Sequence, residues 1–168
     1  IMFPISHFNI TRTPFYYYDK TLLSNTLAKL IRLAGERNYH IHYAVKANAN
    51  PEILKLIAAS GIGADCVSGG EIKAALEAGF PAKKIVFAGV GKADWEIEYA
   101  LEKKIFCFNV ESAEELSVIE ELAKKKENIA SIALRINPNI DAHTHEYITT
   151  GLSENKFGIP IEMLDSIF

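Results

Sequence analysis

The sequence predicts an α/β fold built on a parallel sheet. Two observations carry this. After residue 40, short apolar runs rich in β-formers alternate with helical periods, and the runs start roughly 20–25 residues apart, the length of a strand–helix unit. The runs are also continuously apolar, as strands are when both faces of their sheet are covered.

The elements follow in order. Thr13-Pro14-Phe15-Tyr16-Tyr17-Tyr18-Asp19 is a β-prone aromatic run, and Asp19 is placed to cap a helix over about residues 20–37. Strands are expected at Ile41–Val45, Gly63–Val67, Ile85–Ala88, Ile105–Asn109 and Ser131–Ile136. A sixth is expected near Lys156–Ile159, followed by a helix start within Pro160–Phe168. Asn50 before Pro51 is a cap with proline at the first helical position. Ser68-Gly69-Gly70-Glu71 and Ser112-Ala113-Glu114-Glu115 fit the S-x-x-E capping box, and Gly79 is a natural stop for the helix through Ala78. Residues 94–104 and 113–126 read as amphipathic helices with lysines at their C-terminal ends, where the helix dipole favours them. An open five-stranded sheet can be complete in 168 residues; a (β/α)8 barrel cannot, since it needs about 200 or more.

Composition narrows the function classes. Half the residues are apolar, about a quarter are charged, and the net charge is -3. That is the profile of an ordinary globular protein, and without a basic stripe nucleic acid is not an expected partner. No apolar run is long enough for a membrane span, and the first residues lack the pattern of an export signal. A cytoplasmic location follows as an expectation, with Cys66 and Cys107 read as reduced, buried thiols.

The sharpest chemical signal is Tyr43-Ala44-Val45-Lys46-Ala47-Asn48. A lysine ends an apolar strand, where ligand sites of parallel α/β folds lie. Desolvation there would expose a nucleophilic amine able to form Schiff bases; spacing alone favours a lysine that reaches into solvent. Asp65 stands inside the second strand, and a buried carboxylate needs a partner. It reads either as a pocket residue coupled to Lys46 or Arg135 or as a salt bridge at the rim. Arg135 ends the fifth strand, where a guanidinium meets either a bound group or a rim carboxylate. Ser68 is expected to cap its helix, with contact to a bound group as a second role.

Residues 139–155 form a polar, strand-poor insertion read as a lid, holding His143, His145 and Glu146, to which no role is assigned. H-x-H-E lacks a third ligand at useful spacing, so no metal is expected. Gly89-Val90-Gly91-Lys92 is not a Walker loop, because Val86 and Ala93 stand where glycine and Ser/Thr are required.

Tyr43–Asn48 resembles the signature of the alanine-racemase-like, fold-type III pyridoxal-phosphate (PLP) barrels, which include the diaminopimelate, ornithine and arginine decarboxylases. Residues 13–19, which match the entry strand, and residues 63–71, 87–92, 135–138 and 143–158 resemble other segments of that family in the same order. The Y-I-T-T-G…E-N-K-F-G-I block at 147–159 resembles the diaminopimelate branch. The resemblance implies a partial (β/α)8 TIM barrel at residues 18–168, with residues 1–17 belonging to a β-domain otherwise missing. It also implies PLP as cofactor, Lys46 as its catalytic attachment point, and Ala44, Asp65, Ser68 and Arg135 around it. The expected activity is decarboxylation of an amino acid in a homodimer, with residues 1–168 inactive alone. The alternatives are another decarboxylase of the family, an amino-acid racemase, or a non-catalytic PLP carrier. Many relatives carry Gly-Asn before the lysine matching Lys92; here Val90 and Gly91 stand there, and Lys92 is given no role.

Overall fold

A computed structural model describes residues 3–138 and 158–167. Its centre is a five-stranded parallel sheet: β1 (His42–Ala44), β2 (Gly63–Cys66), β3 (Ile85–Phe87), β4 (Cys107–Val110) and β5 (Ile132–Leu134). Strand order is chain order, β1-β2-β3-β4-β5. A short parallel pair follows, β6 (Ile136–Asn137) with β7 (Ile159–Pro160). The helices are α1 (Ile5–Ile10), α2 (Lys20–Gly35), α3 (Pro51–Ala59), α4 (Gly69–Ala78), α5 (Asp94–Lys103), α6 (Ala113–Lys125) and α7 (Leu164–Ile167).

The local signals act as their chemistry dictates. Asp19 accepts from the Leu22 amide at 2.9 Å, and Asn50 accepts from Glu52 and Ile53. Ser68 and Ser112 cap α4 and α6 through the amides of Glu71 and Glu115, each at 3.2 Å. The glutamates reach one residue further back than the usual box, to the amides of Val67 and Glu111. Gly79 ends α4 at φ 99, a left-handed conformation that glycine adopts without strain.

Successive strand residues face opposite sides. Ala64, Cys66, Ile85, Phe87, Phe108 and Val110 are buried together with Ile53, Leu54, Ile57, Ile72, Ile97 and Ile119 from the helices, and this is the core. The opposite face carries the register-matched row Ala44, Asp65, Val86 and Cys107. Among the described residues helices cover only the first face. The row on the other side is half-exposed, and its side chains are small or polar.

Two expectations change. Residues 13–19 form no strand, since no described strand pairs with them; instead the rings of Phe3, Phe8, Phe15 and Tyr17 pack on one another beside α1, a helix the sequence reading did not anticipate. The run Ser131–Ile136 is divided at Arg135 between two sheets. The Arg135 amide bonds to Val110 at 2.8 Å on one side, and its carbonyl accepts from Ile159 at 2.7 Å on the other. The strand expected near Lys156–Ile159 is met by β7 at Ile159–Pro160, with residues 156 and 157 outside the described residues. The lid with His143, His145 and Glu146 lies outside the described residues.

Candidate active site

Because the five strands are parallel and in sequence order, their C-terminal ends share one rim. Lys46 stands on it in a single 3₁₀ turn, Val45–Ala47, directly after β1. Val45 is fully buried in the core and anchors this turn, while Lys46 is exposed. The Tyr43 hydroxyl donates to the Asn48 carbonyl at 3.1 Å and closes the turn from behind. Tyr43 and Val45 thus pack outward, and Ala44 takes the inner face, paired in register with Asp65.

Asp65 is the unusual group. Its Oδ1 is buried without a hydrogen-bond partner, the only such side-chain atom among the described residues. Burial pushes its carboxyl above the usual carboxylate range, against the opposing charges of Lys46 and then His42. His42 lies lower on the inner face, where its ring stacks on Phe106 and fills the space that a Cβ at Gly63 would occupy. Burial lowers its pKa, with Asp65 pulling the other way. An orphaned carboxylate oxygen beside a strand-end lysine is an arrangement that a bound cation-bearing or proton-sharing group completes. A pyridoxal cofactor attached at Lys46 fits that requirement, with Ala44 leaving room beside it.

Arg135 sits at the far end of the same rim. Its Nη1 donates to both carboxylate oxygens of Glu111, at 3.0 and 3.3 Å. The charges that oppose the rise of the Asp65 carboxyl are those of Lys46 and then His42, while the Arg135 guanidinium is bonded to Glu111. Ser68 lies between these ends, its hydroxyl engaged in capping α4.

Sequence reasoning missed the most deeply buried charge in the region. Lys92 Nζ, on a side chain only 1% exposed, bonds to Glu115 Oε1 at 2.6 Å, the Gly89 carbonyl at 2.6 Å and the Asn109 carbonyl at 2.9 Å. No local pattern announces this, because Lys92 and Glu115 are 23 residues apart. Glu111 was missed for the same reason.

Neither cysteine is poised as a nucleophile. Both are free, and burial pushes Cys66 up to about 12 and raises Cys107, which is half-buried and not fully buried as expected. A cavity of about 390 Å³ lined by His42, Gly63, Lys84 and Phe106 opens at the opposite, N-terminal ends of the strands, away from Lys46. No described helix is long and apolar enough to cross a membrane.

Comparison with known proteins adds to this geometry. Residues 24–167 match the family described as pyridoxal-dependent decarboxylase, pyridoxal binding domain. A diaminopimelate decarboxylase of Bacteroides thetaiotaomicron is 60% identical over 167 residues, covering 99% of this chain and 43% of that protein. The crystal structure of diaminopimelate decarboxylase from Helicobacter pylori complexed with L-lysine superposes with a TM-score of 0.84 at 46% identity, over 98% of this chain and 42% of that one. The enzyme from M. jannaschii, also in complex with L-lysine, gives 0.85 at 39% identity, over 97% and 39%. The chain thus spans about two fifths of the length of the relatives it matches. With a parallel α/β sheet of the same fold and a lysine presented on its rim, the chain belongs to the pyridoxal-dependent decarboxylase family, within its pyridoxal-binding domain.

Proposed function

We propose that this chain carries the cofactor-attachment half of the site in an enzyme that decarboxylates meso-2,6-diaminopimelate to L-lysine, the last step of lysine biosynthesis. The observation that carries the reading is Lys46 on the rim beside an Asp65 oxygen that no described residue satisfies. The substrate rests on likeness. The relatives are named for diaminopimelate, and two of the solved structures hold L-lysine, the expected product.

Each residue has a task in this reading. Lys46 Nζ would hold the cofactor and would move a proton at the reacting carbon. PLP when bound supplies the electron sink for the pair left behind as carbon dioxide departs. Asp65, with its carboxyl held above the ordinary range, keeps a negative or proton-sharing partner next to the Lys46 amine. Ala44 contributes only a methyl group and so leaves space. Ser68 and Arg135 line the rim on either side, where the Arg135 guanidinium would meet the cofactor or the substrate carboxylate.

The wider reading follows the same lines. Residues 18–168 belong to a (β/α)8 barrel whose other units complete the sheet beyond its β1 edge. Residues 1–17 belong with a β-domain: their aromatic cluster packs on itself and contributes nothing to the buried core. The working protein is a cytoplasmic homodimer, and residues 1–168 alone turn over no diaminopimelate. The test is to treat the complete gene product with PLP and borohydride and map the pyridoxyl label. Label on Lys46 and lysine released from diaminopimelate are expected; label on Lys92 or Lys156 overturns the assignment.

A further inference from the structure

Lys92 is buried, charged and unused by the chemistry above, and its partners lead in one direction. Its Nζ uses all three donors on Gly89, Asn109 and Glu115, with the Phe87 ring 5.3 Å away. Asn109 lies on β4, on the same face as Cys107 and Asp65, so Lys92 holds the backbone of an inner-face residue. Glu115 faces two ways. Its Oε1 takes Lys92, and its Oε2 accepts from the Glu111 amide at 2.9 Å. Glu111, its side chain 7% exposed, in turn grips Arg135. A continuous path of charged hydrogen bonds thus runs from the loop after β3, across the start of α6, to the guanidinium at the end of β5.

A buried ion pair is a poor device for stability alone, because apolar side chains of similar volume do as well or better. What an apolar pair cannot do is hold the Asn109 carbonyl and the Glu111 amide at set positions. We propose that Lys92 and Glu115 are positioning residues that fix Glu111, and through it Arg135, at the height where Arg135 meets the cofactor. The inference rests on the functional reading above, since it needs Arg135 at the cofactor.

The experiment uses the complete gene product loaded with PLP. Lys92→Met, Glu115→Leu and the double variant are compared with wild type in Tm, in the visible absorbance of the bound cofactor, and in kcat and KM for diaminopimelate. Each single variant should lose Tm, since it strands a buried charge. The double variant should recover Tm yet keep an altered cofactor spectrum and a kcat lowered about tenfold or more, with KM unchanged. A double variant with wild-type Tm, spectrum and kcat would overturn the inference. Should the double variant not fold, Glu111→Gln decides: lowered kcat at unchanged Tm supports the path, and wild-type kcat breaks it. Wild-type protein that neither binds PLP nor releases carbon dioxide refutes the functional reading instead, so the two failures are distinct.

Discussion

The β1–β2 end of the rim leaves a carboxylate oxygen of Asp65 buried and without a partner among the described residues, beside an exposed Lys46. At the β3–β5 end, Lys92, Glu115 and Glu111 are each held by two or more polar contacts. Both ends carry a lysine and an acid, and they obey opposite rules. Where the charges are fully answered by protein, the arrangement is scaffold. Where one is left unanswered at a cost, the protein is built for something that arrives later.

The largest effect that tests this contrast is Lys46→Ala in the complete gene product. Decarboxylation should fall by about 10³-fold or more, ~4 kcal/mol of barrier, while the Tm of the cofactor-free protein stays at the wild-type value because the side chain is exposed. A matching fall in Tm would place Lys46 with the scaffold and erase the distinction. Next comes Lys92→Met, which strands Glu115 and should cost about 3–5 kcal/mol in urea unfolding; a loss below 1 kcal/mol, a threshold on the order of a single hydrogen bond, would mean that the scaffold end is not what its contacts imply.

Gly63→Ala probes the floor beneath the poised end. An added Cβ would meet the His42 ring and stand 2.5 Å from the Lys84 carbonyl, a backbone atom that cannot swing aside. A loss of about 1–3 kcal/mol in the same assay is expected; a neutral result would show that the poised end is loose throughout, not only at the rim.

The smallest effect has the opposite sign. Because burial raises the Asp65 pKa, the folded chain keeps that proton to higher pH than the unfolded chain does. Its favourable contribution is present below the ordinary value of 3.8 and is lost as pH rises through the raised value. At neutral pH Asp65 therefore costs stability, and Asp65→Asn should stabilise the cofactor-free protein by on the order of 1 kcal/mol. The gain should shrink as urea midpoints are followed down toward pH 3.8. A neutral-pH loss of stability would assign Asp65 to the scaffold.

What the sequence makes legible follows the range of the interactions. Caps at Asp19, Asn50, Ser68 and Ser112 are decided within three residues, and all four form as read. The strands are written in apolar runs, and Lys46 is marked by the end of one. Residues 13–19 mislead because aromatic β-formers make a strand only when a partner strand is offered. Lys92 and Glu111 are illegible for a different reason. Their roles exist only once β3, β4 and β5 stand side by side, and no pattern along the chain encodes which acid a distant lysine will meet.

Strand order equal to chain order has a kinetic meaning as well. Strands begin at residues 42, 63, 85, 107 and 132, and each pairs with the one just before it. Every new ladder therefore closes a loop of modest length that already contains its own helix, so the entropy lost per step stays small and nearly constant. Such a sheet can grow in the direction of synthesis, one unit at a time, with the Lys46 turn anchored on Val45 as soon as β2 and α4 have docked. The long-range ties from Lys92 to Glu115 and from Glu111 to Arg135 then come last, as latches on units already formed.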